Sequence, residues 1–290
     1  MDVDLDFRAD FKDYLLAQFT KQGYQIPQEK PLQEIAYLYF NFQRRSIPLC
    51  PRAILESSEF HCPSEHAVGY LALKEKLITG QNANPYLSKR LRDVHYNDPL
   101  LNDWGIHHFH LGTDLDQSGF VERTKKLLFA FVTNHKVYCI NIYDHLSWCN
   151  KDIMNVLYNN WPDLFEHKII KGISPSVFDD DEYISTFRKS GIMSPIRFGN
   201  SMYAPLGGGL TTAKTSVRAT LYANRYISVI KNFEKFIKDN IDYISNKILE
   251  SGLTLSAPLK FVLYINHIGF FAHELGSNVA FRLCNHEDIK

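Results

Sequence analysis

Positive and negative side chains cancel in this chain: Lys+Arg and Asp+Glu both number 32 in 290 residues. Net charge therefore advertises neither a polyanionic partner nor a membrane surface, and any basic patch has to be local. Cysteine is scarce and odd in number. Cys50, Cys62, Cys139, Cys149 and Cys284 show no CxxC spacing, which argues against a zinc ribbon or a dense disulfide framework and favours reduced thiols in a cytoplasmic setting. No run of about 18 apolar residues occurs. Met1 to Asp13 is acidic and amphipathic rather than basic and then apolar, so neither a membrane span nor a signal peptide is expected. Internal repeats, low-complexity tracts and an HExxH metal motif are missing as well.

Hydrophobic residues make up 45% of the chain, enough for a substantial core. Phe7, Phe11, Leu15 and Phe19 recur at helical spacing, as do Leu32, Ile35, Ala36, Tyr39 and Phe42. A third helix is predicted from Ser64-Glu65 to the break at Gly80, and a short basic one from Asn84 through Lys89, Arg90 and Arg92. From Trp104 the pattern turns to strands. Ile106–Leu111, Lys126–Thr133 and Lys136–Asp144 predict an antiparallel meander, with Asn134-His135 as a two-residue hairpin turn. A helix through Val156-Leu157 follows, broken at Trp161-Pro162. Asp179-Asp180-Asp181-Glu182 reads as solvated linker, residues 217–241 as a long helix and Leu259–Ile265 as a strand. The expected class is α+β: a central antiparallel sheet flanked by N- and C-terminal helical segments. Along the chain this gives a helical region over 1–100, the meander and its site over 101–165, and a mixed, mainly helical region over 166–290.

Function is expected where imidazoles cluster. Asp103-Trp104-Gly105-Ile106-His107-His108-Phe109-His110 places histidines on one strand, and the hairpin beside it ends in Tyr143-Asp144-His145. Period two sets Ile106, His108 and His110 on one strand face, and His107, Phe109 and Leu111 on the other. Imidazole both takes and gives a proton near neutrality. His108, His110 and His145 with Arg123 therefore make a candidate catalytic set for metal-free RNA cleavage. That reaction needs a base for the 2′-hydroxyl, an acid for the leaving oxygen and a cation for the phosphoryl charge. Lys89, Arg90, Arg92, Lys125 and Lys126 are the candidate RNA-binding cations. The competing reading is structural, with the histidines hydrogen-bonded between sheet and helices.

A basic helix, a strand, a charged loop carrying Arg123 and an apolar hairpin ending in His145 is an order of elements that resembles the RelE-like toxins and the wider barnase/EndoU/colicin-type ribonuclease group. The resemblance covers residues 86–148. It implies a cofactor-free, toxin-like endoribonuclease, with Arg123 binding phosphate and His108, His110 or His145 acting as acid or base. The surrounding helices would be an addition that docks a protein partner or inhibits the site.

Two other classes stay open. His108-x-His110 with Asp144 and His145, or with His61, Glu65 and His66, has the ligand types for zinc or another divalent metal in a hydrolase. A non-enzymatic interaction or regulatory module needs only structural histidines. Gly208 to Thr215 departs from a GxxxxGK[ST] phosphate loop at Ala213, and no later strand supplies a magnesium-binding Asp, so a packed turn is expected, with Thr211 or Thr212 capping the following helix. Lys214, Arg218 and Arg225 would add charge to one helical face. Tyr138 and Tyr143 are candidate stacking platforms for bases, and Trp104, Trp148 and Trp161 are expected to anchor sheet to helices.

Overall fold

A computed structural model describes residues 2–172, 180–192 and 195–289. The protein is α+β, and the described residues form small mixed or antiparallel sheets among helices. No helix among them is long and apolar enough to cross a membrane. The chain divides into two compact units, Met1–Phe40 with Thr220–Lys290, and Asn41–Ala219. These units differ from three consecutive segments, because strand pairing joins residues far apart in sequence.

In the unit built from the two chain ends, Val3–Asp4 pairs in parallel with Leu259–Ile265, which continues antiparallel into Gly269–Glu274 and then Val279–Asn285. The last two strands replace part of what was expected to be mainly helical. The helix Phe7–Lys21 starts where Asp6 Oδ1 accepts the Ala9 N–H at 2.9 Å, and it buries Phe7, Phe11, Leu15 and Phe19 at the predicted spacing. An N-cap of this kind contributes about 1 kcal/mol.

The unit 41–219 holds the meander. Its sheet runs in the order Ala53–Glu56, Lys136–Asp144, Lys126–Val132, Ile106–His110. The three predicted strands are antiparallel, and Ala53–Glu56 adds a parallel edge that the helical reading of residues 1–100 does not contain. One sheet face packs Ile106, Leu127, Phe129 and Ile140, together with Trp104 just before the strand, against Ile153 and Leu157 of the helix Asp152–Asn160. Tyr138 packs into this cluster on Trp161, and Tyr143 packs edge-on against Phe129, so both rings are core groups rather than stacking platforms.

Three segments differ locally from their sequence patterns. The basic helix is two short 3₁₀ turns, Asn84–Tyr86 and Lys89–Arg92. Of the acidic cluster, Asp179 lies outside the described residues. Asp180 is the N-cap of a helix, Asp181–Ser190, its Oδ1 accepting the Tyr183 N–H at 2.7 Å, while Asp181 and Glu182 occupy the first turn. Acids there interact favourably with the positive end of the helix dipole. The helix from Val217 begins at Ser216, whose Oγ accepts the Ala219 N–H at 3.2 Å; the Thr211 hydroxyl instead meets that of Thr215 at 2.6 Å.

Candidate active site

The short helix Pro99–Trp104 aims the histidine strand. Asp98 caps it through Oδ1, which accepts the Leu101 N–H at 3.1 Å; Pro99 occupies the first turn, and Gly105 ends it at φ 76°. A β-carbon is strained in that left-handed conformation, so glycine lets the helix stop and the strand begin within one residue. Ile106–His110 then pairs His108 with Phe129 and His110 with Leu127. Ile106 continues the core, and beyond it His108 and His110 line a cavity of about 560 Å³.

Arg123 and His145 line the same cavity. Strand pairing brings the end of the hairpin beside the histidine strand: the His145 N–H donates to the Lys125 carbonyl at 2.8 Å, and the His110 and His145 ring centroids lie 6.1 Å apart. Arg123 Nη2 donates to His145 Nε2 at 2.9 Å. A guanidinium cannot accept, so His145 is neutral in this state with its proton on Nδ1. The Thr124 N–H donates to His110 Nδ1 at 3.2 Å, which leaves the His110 proton on Nε2. His108 Nδ1 is buried with no hydrogen-bond partner among the described residues and lies 3.9 Å from Asp98 Oδ2. His107, on the opposite face, takes the structural role, its Nε2 lying 3.3 Å from the Arg44 carbonyl oxygen.

Electrostatics keep the cavity imidazoles uncharged near neutrality. Burial and then the Arg123 guanidinium push His110 down to about 4, with His108 and His145 adding to the effect. Burial also lowers His108, opposed by the Asp98 carboxylate, and burial followed by Arg123 lowers His145. The same residues would gain basicity once an anion entered.

The cations sort themselves by structure. Arg90 lines the cavity with its guanidinium carbon 4.9 Å from the centre of the Tyr96 ring. Lys89 is engaged by Asp116, and Arg92 donates to the Ser118 carbonyl and lies over Phe120. Lys125 and Lys126 do not line the cavity; Lys126 stands opposite Asp144 in the strand register. Asp144 is exposed and outside the lining as well. Among the described residues no group of three or more His, Cys, Asp or Glu is placed to hold a metal ion, so neither the His108/His110/Asp144 set nor one drawing on His61, Glu65 and His66 is assembled.

Sequence reasoning missed one wall. Trp148 meets the His108 and His145 rings edge-on at 4.8 and 5.0 Å. Arg188 from the helix Asp181–Ser190 donates to the Trp148 carbonyl, pairs with buried Asp103 (Nη2–Oδ2 2.8 Å, Nε–Oδ2 3.2 Å) and stacks its guanidinium 4.5 Å from the Trp104 ring centroid. The signal for this helix was in the sequence: an Asp before an acidic first turn, Arg188-Lys189 in the last turn and Gly191 after it. Nothing local, however, announced that it borders the histidines.

The glycine-rich segment serves the same unit differently. The Gly207 and Gly209 N–H groups donate to the Asp103 and Asn102 carbonyls, each at 2.8 Å, so these amides are spent on backbone rather than offered to a phosphate. A β-carbon at Gly207 would stand 2.3 Å from the Leu101 carbonyl oxygen, which explains the glycine by close approach. No family model, curated protein or solved structure matches the chain.

Proposed function

We propose that the protein is a metal-independent endoribonuclease of the toxin-like kind suggested by the order of its elements, acting in a reducing, cytoplasmic compartment that suits its five free thiols. The observation that carries this reading is the convergence of His108, His110, His145 and Arg123 on one cavity whose other lining cations are Arg90, Arg188 and Lys189. Among the described residues its lining contains a single carboxylate, Asp98, so the pocket suits an anion.

In the proposed reaction Arg123 moves from His145 to a non-bridging oxygen of the scissile phosphate. His145 Nε2 is then released to take the proton of the 2′-hydroxyl, whose oxygen attacks phosphorus. As the P–O5′ bond breaks, His108 gives its proton to the departing oxygen, leaving a 2′,3′-cyclic phosphate. Asp98 favours the protonated state that His108 needs for this step, an effect opposed by burial and restored by the entering phosphate. His110, oriented by Thr124, offers Nε2–H to the phosphoryl oxygen.

The test is incubation of total RNA with wild type, His145→Ala and His110→Asn, each with and without EDTA. Cleavage that survives EDTA and is lost in folded variants is the expected result. Cleavage abolished by EDTA in wild type would return the metal-dependent hydrolase to first place. No cleavage in any lane would leave an anion-binding module.

A further inference from the structure

The cavity carries more positive charge than one phosphodiester requires. With its histidines neutral, the lining holds Arg90, Arg123, Arg188 and Lys189 against Asp98. Arg188 is neutralised by Asp103, as its two hydrogen bonds to Oδ2 show. Arg123, beside His145, suffices for a single negative charge at the reacting phosphorus. Arg90, over the Tyr96 ring, and Lys189 are left over, and Lys189 sits on a different wall, the helix Asp181–Ser190.

That wall is firmly built. The Asp181–Ser190 helix is pinned through Arg188, which is held by a buried carboxylate, an aromatic face and the Trp148 carbonyl. Pinning Arg188 fixes the position of the next residue, Lys189, and of Ser185 four residues earlier on the same side of the helix. Both line the cavity, and Lys189 is exposed and forms no ion pair among the described residues. Trp148 touches both sides: its ring meets His108 and His145, and its carbonyl receives Arg188, the residue before Lys189.

We propose that Lys189 and Ser185 form a second phosphate-binding position, so that the substrate is an RNA strand held by the scissile phosphate at Arg123 and by a neighbouring phosphate across Trp148. This rests on the ribonuclease reading above, but its test does not require cleavage. Each phosphate neutralised on a single strand contributes a slope of about −0.7 to log K against log salt.

The probes are two non-cleavable 2′-O-methyl oligonucleotides, a dinucleotide with one phosphodiester and a trinucleotide with two, titrated against wild type and Lys189→Gln while tryptophan fluorescence is followed. Wild type should show slopes of about −0.7 and −1.4 respectively. Lys189→Gln should bring the trinucleotide slope to the dinucleotide value and leave the dinucleotide unchanged; Ser185→Ala should weaken the trinucleotide alone by several-fold. An unchanged trinucleotide slope in Lys189→Gln, or an equal loss on both probes, overturns the second position, as does wild type that binds neither. Wild type that shows both slopes yet leaves the unmodified RNA trinucleotide intact sinks the catalytic reading and keeps the second position.

Discussion

In the folded chain His110 takes up its proton at about 4 instead of 6.5, because burial and then the charge of Arg123 oppose the imidazolium. An unfolded chain takes it up at the ordinary value. A histidine whose folded value is depressed contributes stability that is complete above the unfolded pKa and is lost as pH falls through the folded one. The loss accrues at about 1.4 kcal/mol per pH unit, so His110 removes about 3 kcal/mol between pH 6.5 and 4. His107, on the opposite face of the strand, is lowered to about 4 by burial and removes a similar amount. Together they threaten a large share of a typical 5–15 kcal/mol stability. Urea unfolding at a series of pH values from 7 to 4 measures this. Trp104, Trp148 and Trp161 all lie in the unit 41–219, so their fluorescence follows the relevant transition. His110→Asn retains an acceptor for the Thr124 N–H and cannot titrate. Its stability should fall with pH less steeply than wild type by about 1.4 kcal/mol per unit, the contribution of one proton. Parallel curves for the two proteins would refute the assignment of His110 as a buried neutral imidazole.

Asp103→Asn leaves the Arg188 guanidinium buried without its counter-charge and should cost about 3–5 kcal/mol in urea unfolding, whereas Asp103→Leu combined with Arg188→Met should recover much of that loss; a single-variant cost below about 1 kcal/mol contradicts the geometry. Arg123→Gln removes the charge that, after burial, depresses His145, so NMR titration should show the His145 pKa moving upward, with RNA cleavage reduced about 10²–10³-fold by loss of the phosphoryl cation. Because cleavage needs one imidazole neutral and one protonated, and all three cavity histidines are lowered, kcat/KM should peak on the acid side of pH 6.5; a maximum above pH 7 is the opposing result. Gly207→Ala drives a β-carbon against the Leu101 and Asn102 carbonyls at 2.3 and 2.4 Å and should lower stability by about 1–3 kcal/mol, read by thermal unfolding.

Much of the local structure was written in period and punctuation. Phe7, Phe11, Leu15 and Phe19 marked a buried helix face, the Asn134-His135 turn closed the meander, and alternation along Ile106–His110 separated His107 from His108 and His110. These features depend on neighbours a few residues apart, so the sequence by itself determined them. It also determined the candidate set of three histidines and Arg123, since those residues lie on or beside three consecutive strands that pair in chain order. Tertiary structure decided what surrounds that set. Arg188 meets Asp103 across 85 positions, and Ala53–Glu56 joins the sheet edge about 80 residues before its partner strand. Neither contact has a local signature. The same folding assigned Lys89 and Arg92 to Asp116 and Ser118 while leaving Arg90 and Lys189 at the cavity. Residue type and spacing identify which side chains can bear charge; which charges remain available to a ligand depends on burial and pairing between segments distant in the chain, and only the assembled fold brings those segments together.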